Sequence, residues 1–372
     1  MIKSHSTSRV LRIFLSYFVL VIVAVLLNPG ASHAQLSSEQ RLQSIIDEVS
    51  VKKVPGIILL VEGPNVNFHG ARGYANRKTK EKMQFEYSLR AGSICKTYIA
   101  SLAVMAANDG RLDLDLSIDQ YLDEDILTKL PKRLRPTSRQ LLNHTSGVPD
   151  YYGVRFYIKD WKDRGPLTTD LVLHAIRGKN ATNEPGVKFS YSNTNYHLMA
   201  LILENIYDQS LEKLLHDHIF EPIGLETTYY NQHFPPGDKI HGYGAPTKPW
   251  IDTYEWQENT GPDGGVIASA NDLALWIRTL FSENGKLSKI GDAMILNPVV
   301  QSERKLQGMG VELLRSRSGV NVIGHTGSAD GYLTAAFYVP TKDTVIVLHM
   351  NKSDEKRFGG LLSAVLKEVI SQ

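Results

Sequence analysis

A serine and a lysine three residues apart, Ser93 and Lys96, are of the types needed for nucleophilic catalysis. A serine hydroxyl is a poor nucleophile until a base takes its proton, and a lysine amine can serve when its surroundings lower its pKa. At this spacing on a helix the amine can reach the hydroxyl. At a helix start, free backbone N–H groups also favour a developing negative charge. The pair therefore predicts a serine that forms a covalent intermediate.

The Ser-x-x-Lys spacing is not specific by itself. It recurs at Ser50/Lys53, Ser210/Lys213, Ser302/Lys305 and Ser353/Lys356. Such pairs usually lie on the solvated face of a helix. Other residues must therefore identify the reactive serine.

Acyl transfer also needs a second proton carrier and N–H donors for the oxyanion. Tyr191 and Asn193, two residues apart in a loop that opens a helix, are candidates. His325 lies between glycines, which predicts a turn or a strand end in which a histidine could simply be exposed. Tyr-x-Asn also recurs, at Tyr74/Asn76 and Tyr229/Asn231.

The apolar pattern predicts the elements that position these residues. Ile94, Tyr98, Leu102 and Met105 predict a helix with one buried face, which ends near residues 108–110. The other predicted helices span 37–49 after a capping box, 137–143, 197–207, 270–280 with Asn271 or Asp272 as cap, and 354–370. The predicted strands span 55–62, 65–74, 310–314, 320–324, 333–339 and 344–350.

Two strands near the beginning and four near the end predict an α+β fold. An antiparallel sheet built from the N- and C-terminal segments, flanked by helices, would comprise about residues 35–92 and 265–372. A mostly helical second lobe would comprise about residues 93–264. Because clefts often form where lobes meet, we expect the site at this junction.

The first 34 residues have the pattern of an export signal. Lys3, Arg9 and Arg12 precede an apolar run over 13–27, and small residues at 31–34 offer a cleavage site. The run is shorter than the ~20 residues of a spanning helix, so we expect no stable membrane span after cleavage. The expected location is periplasmic or secreted.

The charge balance gives no reason to expect nucleic-acid binding. The chain has 41 basic and 39 acidic side chains, and losing the three basic residues of the signal leaves 38 against 39. No basic stripe remains that would bind a phosphate backbone. Cys95 is the only cysteine, which excludes an internal disulfide and predicts a small buried filler rather than a reactive thiol.

Three motifs occur in the order, and at about the separations, found in the serine penicillin-recognising hydrolases, and the chain resembles that family. The group comprises class C β-lactamases, serine D-Ala-D-Ala carboxypeptidases and related esterases. The motifs are Ser93-Ile-Cys-Lys96, Tyr191-Ser-Asn193 and His325-Thr-Gly327. Segments 110–115, 121–122, 141–147, 220–225, 264–265 and 272–274 resemble further landmarks, so the likeness covers roughly residues 40–370. It implies a β-lactamase/transpeptidase-like fold.

The resemblance implies a role for each matched residue. Ser93 would form the acyl-enzyme, and either Lys96 or Tyr191 would accept its proton. Tyr191 would then pass a proton to the leaving group and activate water for deacylation. Asn193 would bond the acyl-side amide of the substrate and help to fix Lys96. The N–H groups of Ser93 and Ser328 would form the oxyanion hole.

His325, with Thr326 and Gly327, stands where many relatives have Lys-Thr-Gly, facing the substrate carboxylate. A histidine is fully charged only below about pH 6.5. Carboxylate binding could therefore pass to an arginine, with Arg315 and Arg317 as candidates. His144 matches a landmark and is expected to be structural.

These features predict a penicillin-binding D-Ala-D-Ala carboxypeptidase that uses no cofactor or metal. The same chemistry on β-lactams or small esters is the alternative, so the expected partner is a small molecule or peptide. A different alternative is a non-catalytic binding protein that kept the fold. A metallohydrolase is disfavoured because the histidines are scattered and no His-Glu-x-x-His motif occurs.

Overall fold

The computed structural model describes residues 36–131, 134–152, 167–230, 239–245, 248–254, 261–316 and 318–371. The predicted export signal and Arg317 lie outside these residues. Within these ranges, no helix combines the length and the apolar character needed to cross a bilayer.

Strands from both ends of the chain form one antiparallel sheet. The described strands are β1 Gly56–Gly63, β2 Val66–Asn76, β3 Glu81–Lys82, β4 Leu89–Arg90, β5 Tyr229–Tyr230, β6 Tyr243–Ala245, β7 Lys248–Asp252, β8 Val266–Ala268, β9 Val299–Ser302, β10 Lys305–Gln307, β11 Glu312–Arg315, β12 Asn321–Ala329, β13 Tyr332–Val339 and β14 Thr344–Met350. Nine of them form the large sheet in the order β3-β2-β1-β14-β13-β12-β11-β10-β9, and two small sheets have the orders β4-β8-β5 and β6-β7.

Helices cover both faces of the sheet and make up most of the described elements between β4 and β8. They are α1 Ser38–Asp47, α2 Cys95–Asn108, α3 Glu124–Leu127, α4 Ser138–Leu142, α5 Thr169–Ile176, α6 Thr194–Tyr207, α7 Leu211–Leu215, α8 Glu221–Ile223, α9 Ala270–Phe281, α10 Ser288–Ile295 and α11 Glu355–Ser371. Short 3₁₀ turns span Gly92–Ile94, Ile118–Gln120, Gly261–Asp263 and Pro340–Lys342, and a π turn spans His216–Phe220.

The two faces of the sheet belong to separate hydrophobic clusters. Leu59 of β1 packs in the same cluster as Leu42 of α1 and Val365 of α11. Ile58, its neighbour in β1, points to the other face and joins the cluster that contains α2 and α9. Because both faces are covered, β1, β13 and β14 are apolar runs rather than alternating strands.

The predicted fold class is confirmed: an antiparallel sheet built from both ends, with helices. The capping box is also present, because the Ser37 hydroxyl accepts from Gln40 N at 3.2 Å and the Gln40 side chain accepts from Ser37 N at 2.9 Å. The sheet is larger than predicted, since β3, β9 and β10 add to the six expected strands.

Two local predictions were wrong. Helix α2 does not bury a single face: Lys96, Thr97 and Ser101 are as buried as its apolar residues, because helices α6, α7 and α10 pack around it. The cap of α9 is Ser269, whose hydroxyl accepts from Asp272 N, rather than Asn271 or Asp272. Serine has the short oxygen acceptor that an N-cap position needs.

Candidate active site

The serine and its two proposed proton carriers meet at the start of α2. Ser93 lies in the 3₁₀ turn that precedes this helix, and Lys96 lies in its first turn. Lys96 Nζ donates to Ser93 Oγ at 2.9 Å. Tyr191 Oη lies 3.0 Å from Ser93 Oγ, although the two residues are 98 apart in sequence. The hydroxyl of Ser93 is therefore within proton-transfer distance of both groups.

The small sheet β4-β8-β5 positions Ser93 beside a second turn. Ala91 N donates to Val266 O at 3.0 Å, which fixes the turn Gly92–Ile94 next to the turn Gly261–Asp263. This contact brings the carbonyl oxygen of Asp263 to 2.6 Å from Lys96 Nζ. The amine of Lys96 is thus bonded both to the backbone oxygen of Asp263 and to the hydroxyl of Ser93.

Lys96 is completely buried. Burial acts to lower its pKa, but Tyr191 and the Asp263 carboxylate outweigh burial, so the pKa of Lys96 lies above its ordinary value. We therefore infer that the resting lysine is an ammonium ion.

Asp263 belongs to a buried polar network that the sequence analysis missed. Its carboxylate accepts from Tyr151 Oη at 2.9 Å and contacts His197 Nε2 at 3.0 Å. Thr169 Oγ1 lies 3.2 Å from the other ring nitrogen of His197. Burial would raise the pKa of Asp263, but His197, Lys96 and Tyr151 together hold it below its ordinary value. The network keeps a negative charge next to Lys96.

Tyr191 lies in a loop rather than in a helix or strand, and contacts with His144 fix its position. Its ring stacks on His144 with centroids 4.1 Å apart. The loop is fixed because Ser190 N donates to His144 O at 2.8 Å and Ser192 N donates to His144 Nδ1 at 3.1 Å. Burial raises the pKa of Tyr191, and Lys96 offsets only part of this effect. His144 has the structural position expected of it, and it is in direct contact with the tyrosine.

The side chain of Asn193 is bonded to an aspartate, not to the lysine. Its backbone N donates to Asp150 Oδ1 at 3.0 Å, and its Nδ2 donates to Asp150 Oδ2 at 3.3 Å. The expectation that Asn193 helps to fix Lys96 is therefore corrected, since Ser93 and Asp263 provide the described acceptors of Lys96. Burial raises the pKa of Asp150. With Nδ2 bonded, the amide oxygen of Asn193 is an acceptor for a ligand.

The two proposed oxyanion donors lie close together because glycines allow β12 to approach the serine turn. A Cβ atom on Gly327 would lie 1.8 Å from Ala91 O, and one on Gly92 would lie 2.8 Å from Ser328 N. Gly92 has a φ of 52°, which glycine adopts without steric cost. The N–H groups of Ser93 and Ser328 thus belong to backbone segments in contact.

His325 lies within strand β12 and not in a turn or at a strand end. It pairs with Ala336 of β13, so the prediction of a loop or strand end was wrong: the sheet continues through the flanking glycines. The side chain is 1% exposed. Its Nδ1–H donates to Thr326 O at 2.5 Å, and its Nε2 is buried without a described partner. Burial lowers the pKa of His325, and Glu312 offsets only part of this effect.

Glu312 is a further buried acid that the sequence analysis did not identify. It accepts from Lys305 Nζ at 2.6 Å and from Thr326 Oγ1 at 3.2 Å. Burial would raise its pKa, but His325 and Lys305 hold the pKa below its ordinary value. Thr326 is therefore oriented by Glu312. In the sequence, Glu312 is only one acid in the short predicted strand that precedes β12, and this alone does not identify a site residue.

A cavity of about 580 Å³ opens over these groups. The proposed site residues among its lining are Ser93, Tyr191, Asn193, His325, Thr326, Gly327 and Ser328. Arg315 is exposed at the end of β11 and does not line the cavity, so it is not the carboxylate ligand considered above. The described side chains spaced to hold a metal are His216, Asp217 and Glu221, which also lie outside this lining.

Cys95 is a buried filler, as predicted. Its Sγ lies 3.3 Å from Pro262 O and the residue has no exposed surface. Burial raises the pKa of the thiol to about 12. The reactive thiolate form is therefore negligible at neutral pH.

Comparisons with known proteins identify relatives along almost the whole chain. A family model described as Beta-lactamase matches residues 42–369. Penicillin-binding protein 4* of Bacillus subtilis (strain 168) is 25% identical over 348 residues, covering 88% of this chain and 75% of that protein. Protein flp of Staphylococcus aureus (strain MW2) is 24% identical over 336 residues, and this chain spans only 64% of its length.

A solved structure shows the same fold. D-amino acid amidase from Ochrobactrum anthropi SV3, complexed with D-phenylalanine, superimposes with a TM-score of 0.78 at 23% identity. The match covers 90% of this chain and 99% of the amidase chain.

Proposed function

Because the chain belongs to the beta-lactamase family, we propose that it is a serine hydrolase that cleaves amide or ester bonds through an acyl-enzyme on Ser93. One observation supports this most: Lys96 Nζ and Tyr191 Oη both lie within hydrogen-bond distance of Ser93 Oγ. The intact constellation argues against a non-catalytic binding protein. The relative named as a penicillin-binding protein supports penicillin as a ligand.

In the proposed acylation step, Ser93 Oγ attacks the carbonyl carbon of the substrate. The hydroxyl proton passes to the Lys96–Tyr191 pair, and the N–H groups of Ser93 and Ser328 stabilise the oxyanion. Collapse of the tetrahedral intermediate breaks the bond to the leaving group. Tyr191 donates the proton that the leaving group takes.

Deacylation repeats these steps with water. Tyr191 takes a proton from the attacking water, the ester bond to Ser93 breaks as that proton passes to Ser93 Oγ, and the acid product leaves. Because the pKa of Lys96 and the pKa of Tyr191 are both raised, the resting pair holds both of its protons. The pair must lose one proton before it can act as a base, and its apparent pKa belongs to both residues.

D-Ala-D-Ala carboxypeptidase activity is the reaction that the sequence motifs favour, with β-lactam and small-ester hydrolysis as alternatives. Release of D-alanine from a D-Ala-D-Ala peptide, opening of a chromogenic cephalosporin and hydrolysis of a p-nitrophenyl ester would rank the three. If only the ester were turned over, the carboxypeptidase assignment would be refuted. We also propose export, and the mature protein would then begin at Gln35.

The role of Tyr191 has a direct test. Tyr191→Phe keeps the ring that stacks on His144 but removes the hydroxyl that contacts Ser93. Loss of one general acid–base group typically costs 10²–10⁴-fold, so we expect deacylation to slow by roughly 10²-fold or more. Single-turnover measurement of acyl-enzyme decay would show it, and wild-type decay in the variant would refute the role.

A further inference from the structure

A positively charged surface, here called the basic face, forms where three segments that are distant in sequence meet. They are residues 76–82 at the end of β2 and in β3, the described residues of 239–254 around β6 and β7, and residues 351–357 at the start of α11. Their charged side chains are nine basic, Arg77, Lys78, Lys80, Lys82, Lys239, Lys248, Lys352, Lys356 and Arg357, and four acidic, Glu81, Asp252, Asp354 and Glu355. Because the chain after the predicted signal is nearly balanced, its net charge conceals this local excess, and the sequence analysis found no basic stripe.

Hydrogen bonds hold the three segments together. Arg77 N donates to the Tyr243 hydroxyl at 2.7 Å, which joins the first segment to the second. Ser353 N donates to Tyr243 O at 3.0 Å, and Asn351 Nδ2 donates to His241 O at 3.0 Å, which joins the second segment to the third. The segments therefore form one continuous surface.

Trp250 of β7 connects the segments through its ring. The guanidinium carbon of Arg77 lies 4.4 Å from the ring centroid, and Lys352 Nζ lies 4.6 Å from it. Lys352 Nζ also donates to Pro249 O. A lysine amine has three N–H donors, so this bond leaves two of them for a ligand. The cations are thus held in place while Trp250 itself remains 40% exposed.

The acids of the basic face neutralise only part of its charge. Asp354 pairs with Arg357, and Asp252 lies 2.8 Å from Nδ1 of His241. Among the described residues, no carboxylate lies within ion-pair distance of the other eight basic side chains. The basic face therefore carries a net positive charge at neutral pH.

The cations at Trp250 also repel one another. Burial lowers the pKa of Lys352, and the charges of Arg357 and Arg77 lower it further, against the effect of Asp354. Holding like charges close together costs free energy, and a bound anion would offset that cost.

We propose that the basic face binds the surface of an anionic phospholipid bilayer, with Trp250 at the level of the lipid headgroups. Clusters of roughly four to eight lysines and arginines bind anionic headgroups, and tryptophan is enriched at the membrane–water interface. This inference goes beyond the proposed function, because no step of it involves Ser93.

Two other kinds of partner fit the basic face less well. Within the described residues of the three segments, Trp250 is the only exposed large apolar side chain, which is too little for the apolar core of a protein interface. A nucleic acid is disfavoured because the cations over Trp250 cover at least one of the ring faces on which a base would stack.

The basic face adjoins the catalytic cavity. Thr253 Oγ1 donates at 2.7 Å to the backbone oxygen of Asp330, and Asp330 lines the cavity. Binding through the basic face would therefore hold the cavity near the lipid surface.

The test is sedimentation of the chain 35–372 with lipid vesicles. Both described hydrophobic clusters lie between Leu42 and Val369, so this chain keeps the described fold without the apolar run of the predicted signal. Vesicles of phosphatidylcholine are compared with vesicles of equal parts phosphatidylcholine and phosphatidylglycerol. We expect partitioning to be at least about tenfold stronger on the anionic vesicles at low salt, and to weaken as salt is raised.

Charge reversal locates the binding surface. Lys78→Glu/Lys80→Glu changes two exposed side chains of the basic face, and we expect it to weaken partitioning at least about tenfold. Lys286→Glu/Lys289→Glu is the matched control: it makes the same charge change at exposed lysines outside the basic face, so partitioning should stay close to that of the wild type.

Three results would overturn the inference. They are equal partitioning on neutral and anionic vesicles, unchanged partitioning of Lys78→Glu/Lys80→Glu, and binding of a DNA oligonucleotide as tight as that of the anionic vesicles at equal phosphate concentration. Hydrolysis of a p-nitrophenyl ester without vesicles, which should be unchanged in both double variants, shows that they are folded. Loss of Ser93-dependent hydrolysis in the wild type would refute the proposed function and leave the vesicle result unaffected.

Discussion

At the scale of single residues, the least predictable part of the site is the charge next to Lys96. Ser93, Lys96 and Tyr191 could be selected from the sequence because their motifs recur in a fixed order. Asp263 could not, because it lies 167 residues from Lys96 and contacts it through the backbone oxygen. Its carboxylate acts through space on the lysine, and no spacing rule describes such a contact.

Replacing the buried acid should change the pH dependence of acylation. The Asp263 carboxylate raises the pKa of Lys96, so Asp263→Asn should let the Lys96–Tyr191 pair lose its proton at lower pH. We expect the rising limb of kcat/KM against pH to move to lower pH in the variant. A purely structural role would lower the rate without moving the limb, and that outcome would contradict our assignment. His197→Gln, which removes a contact of the carboxylate but not its charge, is the comparison variant.

At the scale of elements, the sequence predicted the structure that depends on neighbouring residues. It did not predict close contacts between segments that are distant in sequence. The capping box at Ser37 and the apolar runs of β13 and β14 identify their elements because these signals depend on near neighbours. The glycines around His325 suggested a turn. In the structure Gly327 instead allows β12 to approach the serine turn, a requirement set by Ala91, which is distant in sequence.

Gly327→Ala should impair acylation. The new Cβ would lie 1.8 Å from Ala91 O, so β12 and the serine turn would have to separate. Because Ser93 N and Ser328 N lie on these two segments, the proposed oxyanion hole would widen, and loss of one such donor typically costs 10²–10³-fold in kcat. We expect a decrease of about 10²-fold, measured with a p-nitrophenyl ester.

Gly360→Ala is the control for that substitution. A Cβ at Gly360 meets nothing within 4 Å, and alanine is favoured over glycine inside a helix such as α11. Activity should be retained and stability slightly increased. Wild-type acylation in Gly327→Ala would show that the close approach is not needed.

At the scale of the whole molecule, buried neutral histidines link stability to pH. Burial lowers the pKa of His349 from 6.5 to about 3, and it also lowers the pKa values of His144 and His325. In the unfolded chain these histidines bind protons as pH falls through about 6.5, whereas the folded chain does not. Stability is therefore lost on acidification in this range. The raised pKa values of Asp330, about 6, and of Asp150 have the opposite sign, but these are two groups against three histidines.

We expect the free energy of unfolding to fall between about pH 7.5 and about pH 5.5. A fully buried histidine such as His349 contributes about 1.4 kcal/mol of this loss. Chemical denaturation at a series of pH values would measure it, and His349→Gln should flatten the slope. Stability that is constant or rises as the pH is lowered would contradict the buried neutral state of these rings.

The nucleophile itself is the central claim, and the intact mass of the protein after a brief incubation with a penicillin and a rapid acid quench tests it most directly. We predict that the wild type and Cys95→Ala each gain the mass of one penicillin, because the buried thiol takes no part. Ser93→Ala should gain none. An adduct that persists in Ser93→Ala, or no adduct on the wild type, would contradict an acyl-enzyme on Ser93.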